Sequence, residues 1–312
     1  METILKLTDL TKKYGNKVVV DNLNIEIQKG EIFGLLGPNG AGKSTTMNMI
    51  CNIVRPTIGS VEFLGKDFRK NKKELSKHLG YIPQDLAIHG RLKAWENVEL
   101  FTSLYGIKGK ELKERIDESL EYVGLIDRKN DYAKTFSGGM KRRLNIACAI
   151  GHHPDLLIFD EPTVGIDPQS RNFILERIKK SNKNGATVIY TSHYMEEVEQ
   201  LADRVIIIDK GQLIAEGSVD KLKSMIKKSE MIKIEAKGIL DEDIEKLRKL
   251  DNIFSVNYDG KYLKVEAGKG NNVVEVIKVL EEKGYKMKNV YSEQPTLNDV
   301  FLELTGKELR DD

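Results

Sequence analysis

GPNGAGKST, Gly37 to Thr45, decides how this chain reads. The spacing Gly-x-x-x-x-Gly-Lys-Ser is that of a phosphate loop. Its glycines let backbone N–H groups curl around phosphate oxygens where a Cβ would obstruct the curl. The stretch has the context this role needs. The apolar run Ile32–Leu36 precedes it as a strand, and a helix is expected from about Lys43 to Ile53. The candidate contacts are Gly37, Pro38, Asn39, Gly40, Ala41, Gly42, Lys43, Ser44 and Thr45. Lys43 would reach the β- and γ-phosphates of ATP, and the Ser44 hydroxyl would serve Mg²⁺.

Downstream, LLIFDE (Leu156 to Glu161) supplies the acidic half of such a site. The continuous apolar run marks a strand buried on both faces of a parallel sheet. Asp160 falls at its C-terminal end, where an open α/β sheet presents ligand groups, and suits Mg²⁺. Glu161 is aimed differently by the backbone and suits the role of general base for an attacking water. Between the two halves lies TFSGGMKRRL, Thr135 to Leu144. Here Ser137 opens a helix running to about Ile150, a second place where backbone N–H groups can meet phosphate.

Further outward the pattern alternates. Short β runs are expected at Ile4–Leu7, Val18–Val20 and Leu23–Ile27, and a charged helical segment at about Ala94–Val123. Asp167-Pro168 reads as N-cap and first turn of a helix. Thr187–Thr191 and Val205–Ile208 read as strands, the latter turning back at Lys210-Gly211. The fold class is therefore α/β: a domain over 1–220 with a mixed sheet, an antiparallel β portion and a helical subdomain at about 85–150. After a linker at 221–230, residues 231–312 change to the order β-α-β-β-α-β, a small ferredoxin-like domain.

Composition sets limits. The 312 residues are 40% hydrophobic and carry 50 basic and 48 acidic groups, net +2. A core is affordable, and the charge balance gives no footprint for nucleic acid. The Lys-rich stretch Lys221–Lys237 reads as a solvated surface. Cys51 and Cys148 sit in apolar helical contexts without metal-ligand spacing, as reduced cysteines of a cytosolic protein do. No signal-peptide pattern and no membrane-length apolar run occurs. The expected location is cytoplasmic, and if the chain acts at a membrane another polypeptide must do the crossing.

Together these residues resemble the ATP-binding subunit of an ABC transporter over roughly residues 3–220. The resemblance implies further roles. Gln84 in GYIPQD matches the glutamine loop, contacting Mg²⁺ or the attacking water. Ser137, Gly138 and Gly139 match the signature motif, and Asp167 the loop after the catalytic Glu. His193 in YTSHYMEE matches the switch histidine, and Tyr14 the aromatic stacked on adenine. In that family two subunits sandwich two ATP molecules head to tail, each signature facing the nucleotide of the other. The implied partners are thus a second ATP-binding subunit and separate transmembrane permease subunits, met by the helical segment around Trp95. Phe136 and Met140 replace the usual Leu and Gln of the signature, and Val164-Gly165-Ile166 the commoner Ser-Ala-Leu. The ending QPTLNDVFLELTG, Gln294–Gly306, resembles the tail domain of bacterial exporters of drugs, antibiotics and lipids, the daunorubicin, bacitracin, linearmycin and sodium exporter subfamilies among them, which implies export of a drug, antibiotic, lipid-like molecule or ion. His152 and His153 match no motif position.

Two rivals from other classes remain at this stage. Soluble ABC ATPases of DNA repair carry long coiled coils between the halves of the site, and no sustained heptads lie between Thr45 and Ser137. Those of translation carry two ATP domains, and here each motif occurs once. A non-catalytic nucleotide-binding regulator is opposed by Glu161.

Overall fold

The computed structural model describes residues 2–226, 230–268 and 272–306. The chain divides into two compact units, Met1–Leu222 with the chain end from Leu304 on, and Lys223–Glu303. Residues 227–229 of the expected linker and 307–312 of the expected C-terminal domain lie outside the described residues.

The first unit begins with β1 (Thr3–Tyr14), β2 (Lys17–Gln28), β3 (Ile32–Leu36) and α1 (Lys43–Ile50). Then come β4 (Ile58–Phe63), β5 (Lys66–Asp67), α2 (Lys72–Leu75) and β6 (Leu79–Ile82), followed by α3 (Ala94–Ser103), α4 (Gly109–Tyr122) and α5 (Gly138–Ile150). It continues through β7 (Leu156–Asp160), α6 (Pro168–Lys183), β8 (Thr187–Thr191), α7 (Met195–Leu201), β9 (Arg204–Asp209), β10 (Gln212–Gly217) and α8 (Val219–Lys223). The strands form two sheets. One is antiparallel in the order β2-β1-β4-β5; the other, in the order β10-β9-β3-β8-β7-β6, is parallel except for β10.

β3, β7 and β8 are buried at every residue, the result of burial on both faces of the central sheet. The core joins side chains of both sheets to α1, with Leu5, Leu7 and Phe63 on the antiparallel side and Phe33, Ile158 and Ile206 on the parallel side. The expected α/β class with its antiparallel portion and helical region is the observed fold. Three details differ. The short β runs before residue 28 are two 12-residue strands, kept paired through register shifts between Leu7 and Leu10 and between Leu10 and Lys12. The helical segment at 94–123 is two helices, because a turn at 104–106 and an extended Lys108 (φ −145°, ψ 166°) interrupt it. β4 and β6 were not expected at all.

The second unit runs β11 (Glu230–Ala236), α9 (Asp241–Arg248), β12 (Ile253–Tyr258), β13 (Tyr262–Ala267), α10 (Asn272–Glu282), β14 (Met287–Glu293) and α11 (Leu297–Thr305), the last reaching past Glu303. That is the anticipated β-α-β-β-α-β order, and its antiparallel sheet has the order β12-β13-β11-β14. One face packs Ile232, Ile234, Leu263 and Val265 against Leu247, Val276 and Leu280 of the helices. No helix among the described residues is long and apolar enough to cross a membrane.

Candidate active site

β3, β7 and β8 are neighbouring parallel strands, so their C-terminal ends open at one edge of the sheet. Three loops leave that edge: Gly37–Gly42 after β3, Glu161 onward after β7, and Ser192-His193 after β8. The site is assembled where they converge.

The first loop is shaped by contacts that only glycine permits. A Cβ on Gly37 would lie 2.4 Å from the Ile208 carbonyl oxygen. Gly42, the N-cap of α1, takes φ 101°, and a Cβ there would meet the Val19 carbonyl oxygen at 2.7 Å. No side chain caps the start of α1, which leaves its first N–H groups to a ligand. Lys43 is buried, with Nζ donating to the carbonyl oxygens of Gly37 (2.8 Å) and Pro38 (3.2 Å). Asn39, Gly40 and Ser44 are exposed, while Ala41 is buried and Thr45 intermediate.

At the end of β7 the Asp160 carboxylate accepts hydrogen bonds from the hydroxyls of Thr191 (2.9 Å) and Tyr81 (3.3 Å). Burial pushes its pKa up, and the adjacent Glu161 charge adds to that against the hydroxyls. Glu161 has a left-handed backbone, φ 49°. Its N–H is held by both the side-chain and main-chain oxygens of Thr191, at 3.0 and 3.2 Å. Glu161 Oε1 lies 2.7 Å from His193 Nε2 and 3.7 Å from Lys43 Nζ. At Glu161 burial again pushes upward, but His193 and Lys43 together outweigh it and leave the carboxyl below its ordinary value. Burial lowers the Lys43 pKa, and the Glu161 and Asp160 charges restore it only in part.

Lys43, Asp160 and Glu161 are thus one buried cluster beside the phosphate loop, with half-buried His193 at its edge. Asp160 is 3% exposed, takes its hydrogen bonds from two neutral hydroxyls, and is only partly compensated by the Lys43 charge, while the Ser44 hydroxyl one residue beyond Lys43 faces solvent. This all-oxygen set, one carboxylate and one hydroxyl, fits a hard cation such as Mg²⁺.

Gln84 is exposed just past β6, and Arg142 holds its carbonyl oxygen at 2.6 Å. Ile82 pairs with Phe159, so the Gln84 loop leaves the sheet next to the Asp160 end of β7. Tyr14 closes β1 with its ring 51% exposed and the Lys12 ammonium 4.8 Å above it. Ser137, Gly139 and Asp167 make a separate cluster. Ser137 caps α5, its Oγ accepting from Met140 N–H, and Ser137 and Gly138 are exposed. Asp167 caps α6 by accepting from Ser170 N–H at 2.9 Å, a cap worth about 1 kcal/mol. A Cβ on Gly139 would come within 3.1 Å of Asp167 Oδ2, so the two caps abut. Phe136, one of the signature's departures, is buried.

The sequence reading missed Thr191, which ties Asp160 to Glu161, and Tyr81. A hydroxyl residue closing an apolar strand two positions before the His was the available signal for Thr191. Cys51 and Cys148 are free thiols, and His152 stacks on Tyr105.

Residues 20–164 match the family described as ABC transporter, and residues 217–305 match that described as ATP-binding protein DrrA1-3-like, C-terminal domain. The chain is 43% identical to the linearmycin resistance ATP-binding protein LnrL of Bacillus subtilis, covering 99% of this chain and 100% of that one. It is 37% identical to the bacitracin transport ATP-binding protein BcrA of Bacillus licheniformis, over 98% of each. Among solved structures, the dimeric post-hydrolysis state of the ATP-binding cassette MJ0796, bound to ADP and Pi, superposes with a TM-score of 0.63 at 28% identity, covering 69% of this chain and 98% of that one. A phosphate loop facing a buried acidic pair on this sheet, matched along the full length of such relatives, has one reading: the chain belongs to the ABC transporter family, as an ATP-binding and ATP-hydrolysing subunit.

Proposed function

We propose that the chain binds ATP with Mg²⁺ on Gly37–Thr45 and hydrolyses it with Glu161 as general base, powering export through separate membrane subunits. The observation that carries this reading is the contact of buried Glu161 with His193 and Lys43 beside the phosphate loop. Ser44 and Asp160 would hold Mg²⁺, with Gln84 adjacent; the ion, when bound, offsets phosphate charge.

The chain's own groups suit these steps. The carboxyl of Glu161, held below its ordinary value, is ionised at neutral pH and can take a proton from water. Lys43 Nζ lies within ion-pair distance of it, at 3.7 Å. A phosphate that draws Lys43 away removes one of the forces depressing that pKa, so Glu161 becomes a stronger base once substrate is seated. His193, 2.7 Å from Glu161, is placed to hydrogen-bond the γ-phosphate and hold the base. Tyr14 would stack on adenine.

Ser137, Gly138, Gly139 and Asp167 cluster away from these groups and would face the ATP of a second copy. The start of α5 points its partial positive charge outward, as such a contact needs. ATP favours the closed pair and hydrolysis releases it. The membrane partner would seat in a cavity of about 230 Å³ lined by Ile53, Phe101, Leu104 and Tyr105, toward and past the C-terminal end of α3 from half-buried Trp95. Ile53 (61%) and Leu104 (74%) are the exposed apolar contacts it offers. The protein would then be peripheral on the cytoplasmic membrane face. Export of an antibiotic or lipid-like molecule is supported by the linearmycin and bacitracin relatives and the matching C-terminal domain.

Glu161→Gln tests the reading. ATP binding should persist, turnover should fall by about 10²- to 10⁴-fold, and ATP should trap a dimer on a sizing column. Unchanged turnover would remove Glu161 from its role.

A further inference from the structure

Glu197 closes the stretch YTSHYMEE with no role assigned above, yet it is 3% exposed, which a carboxylate tolerates only with partners. Its partners are unusual in number and origin. Oε2 accepts three hydroxyls: Thr163 at 2.8 Å, Tyr190 at 2.8 Å and Ser192 at 2.6 Å. Each of the three donors is at most 1% exposed. Burial and the Glu197 charge push the Tyr190 pKa well above its ordinary value, so that hydroxyl stays a donor. On the other side, Arg171 Nε lies 3.3 Å from Glu197 Oε1, and its guanidinium stacks 4.1 Å from the Tyr194 ring centroid.

These partners flank the two residues of the proposed reaction. Thr163 is two residues after Glu161. Ser192 precedes His193, and its Oγ also accepts from Tyr194 N–H at 2.9 Å, so the backbone on both sides of His193 is tied to the same oxygen. The segment carrying the base and the segment carrying the histidine come from different strands; Thr191 joins them at the strand ends, and Glu197 joins them again from beyond the site. We infer that Glu197 is a positioning residue that holds the Glu161 and His193 loops in register, and that its carboxylate sets the rate of hydrolysis without touching nucleotide.

The inference rests on the reading of Glu161 as general base, and the test separates the two. Glu197→Gln keeps size but loses the charge that strengthens three hydrogen bonds, and it can turn an N–H toward Arg171. A misplacement of the base by a fraction of an ångström to 1 Å corresponds to a kcat about tenfold to a hundredfold lower. KM for ATP should stay within about twofold, because the phosphate loop is untouched. Added to Glu161→Gln, the same change should leave the residual rate within about twofold, since a missing base has nothing to position. A general loss of packing would lower the rate equally on both backgrounds, and that result overturns the inference, as does an unchanged kcat in Glu197→Gln alone. If Glu161→Gln itself keeps full turnover, the base assignment fails instead. Thr163→Val and Ser192→Ala each remove one donor and give the same comparison at smaller amplitude should Glu197→Gln lack a cooperative thermal transition.

Discussion

Replacing Thr191 by Val removes one buried oxygen and keeps the shape of the side chain. In the native chain that oxygen donates to Asp160 Oδ1 at 2.9 Å and accepts from Glu161 N–H at 3.0 Å. The second loss is cushioned, because Glu161 N–H also reaches the Thr191 carbonyl at 3.2 Å. The first is not, since Asp160 keeps only Tyr81 at 3.3 Å. A hydrogen bond to a buried carboxylate contributes about 1.5–3 kcal/mol. A loss of about 2 kcal/mol in a unit of this size lowers Tm by about 4–8 °C. Thr187→Val is the internal control. It lies on the same strand, equally buried, and its hydroxyl accepts only from Gly30 N–H at 3.0 Å, a bond between neutral groups contributing about 1 kcal/mol. Thermal melts of nucleotide-free protein should rank wild type above Thr187→Val, and Thr187→Val above Thr191→Val. ATP turnover should fall in Thr191→Val alone. If the Thr187 variant melts at or below the Thr191 variant, the argument from a stranded carboxylate is wrong.

Two further expectations concern the loop and the base. Gly37→Ala should weaken binding of an ATP analogue by tenfold or more, about 1.4 kcal/mol, because its Cβ meets the Ile208 carbonyl oxygen at 2.4 Å; Gly40→Ala, with open space at its Cβ and φ 78°, should cost only the backbone strain of about 1–2 kcal/mol in stability. Because the Glu161 carboxyl is held below its ordinary value in the folded chain, its stabilising contribution is complete above the ordinary carboxylate range and is lost as pH falls through the folded value. The Tm difference between nucleotide-free wild type and Glu161→Gln should therefore shift against the wild type from about pH 6 to about pH 3, and a constant difference would contradict the depressed pKa.

The parts of this site that could be read in sequence are those set by local spacing. GPNGAGKST dictates its own loop, and Asp160 and Glu161 are placed by the strand they terminate. Ser137 and Asp167 announce themselves as caps beside their helices. What could not be read is what joins these pieces. The bond from Glu161 to Thr191 spans 30 residues and that from Thr163 to Glu197 spans 34, and neither leaves a local pattern. In the fold, β1 and β2 read as fragments because Asp9 (φ 50°) and Asn22 (φ 51°) interrupt the alternation that marks a strand. β4 and β6, Ile58–Phe63 and Leu79–Ile82, are short and each contains a glycine, so only their pairing with β1 and β7 makes them strands.

The left-handed backbone at Glu161 narrows what heredity can write there. Glycine would adopt φ 49° with ease but brings no acid, and valine, isoleucine or threonine would be strained by their branching at Cβ. Aspartate tolerates such a backbone well, yet falls short by one methylene, about 1.5 Å, of the histidine that the longer side chain touches. Glutamine has the reach and not the charge. Among the genetically encoded residues only glutamate meets all three demands, so on the proposal that Glu161 is the base this codon has almost no neutral neighbours.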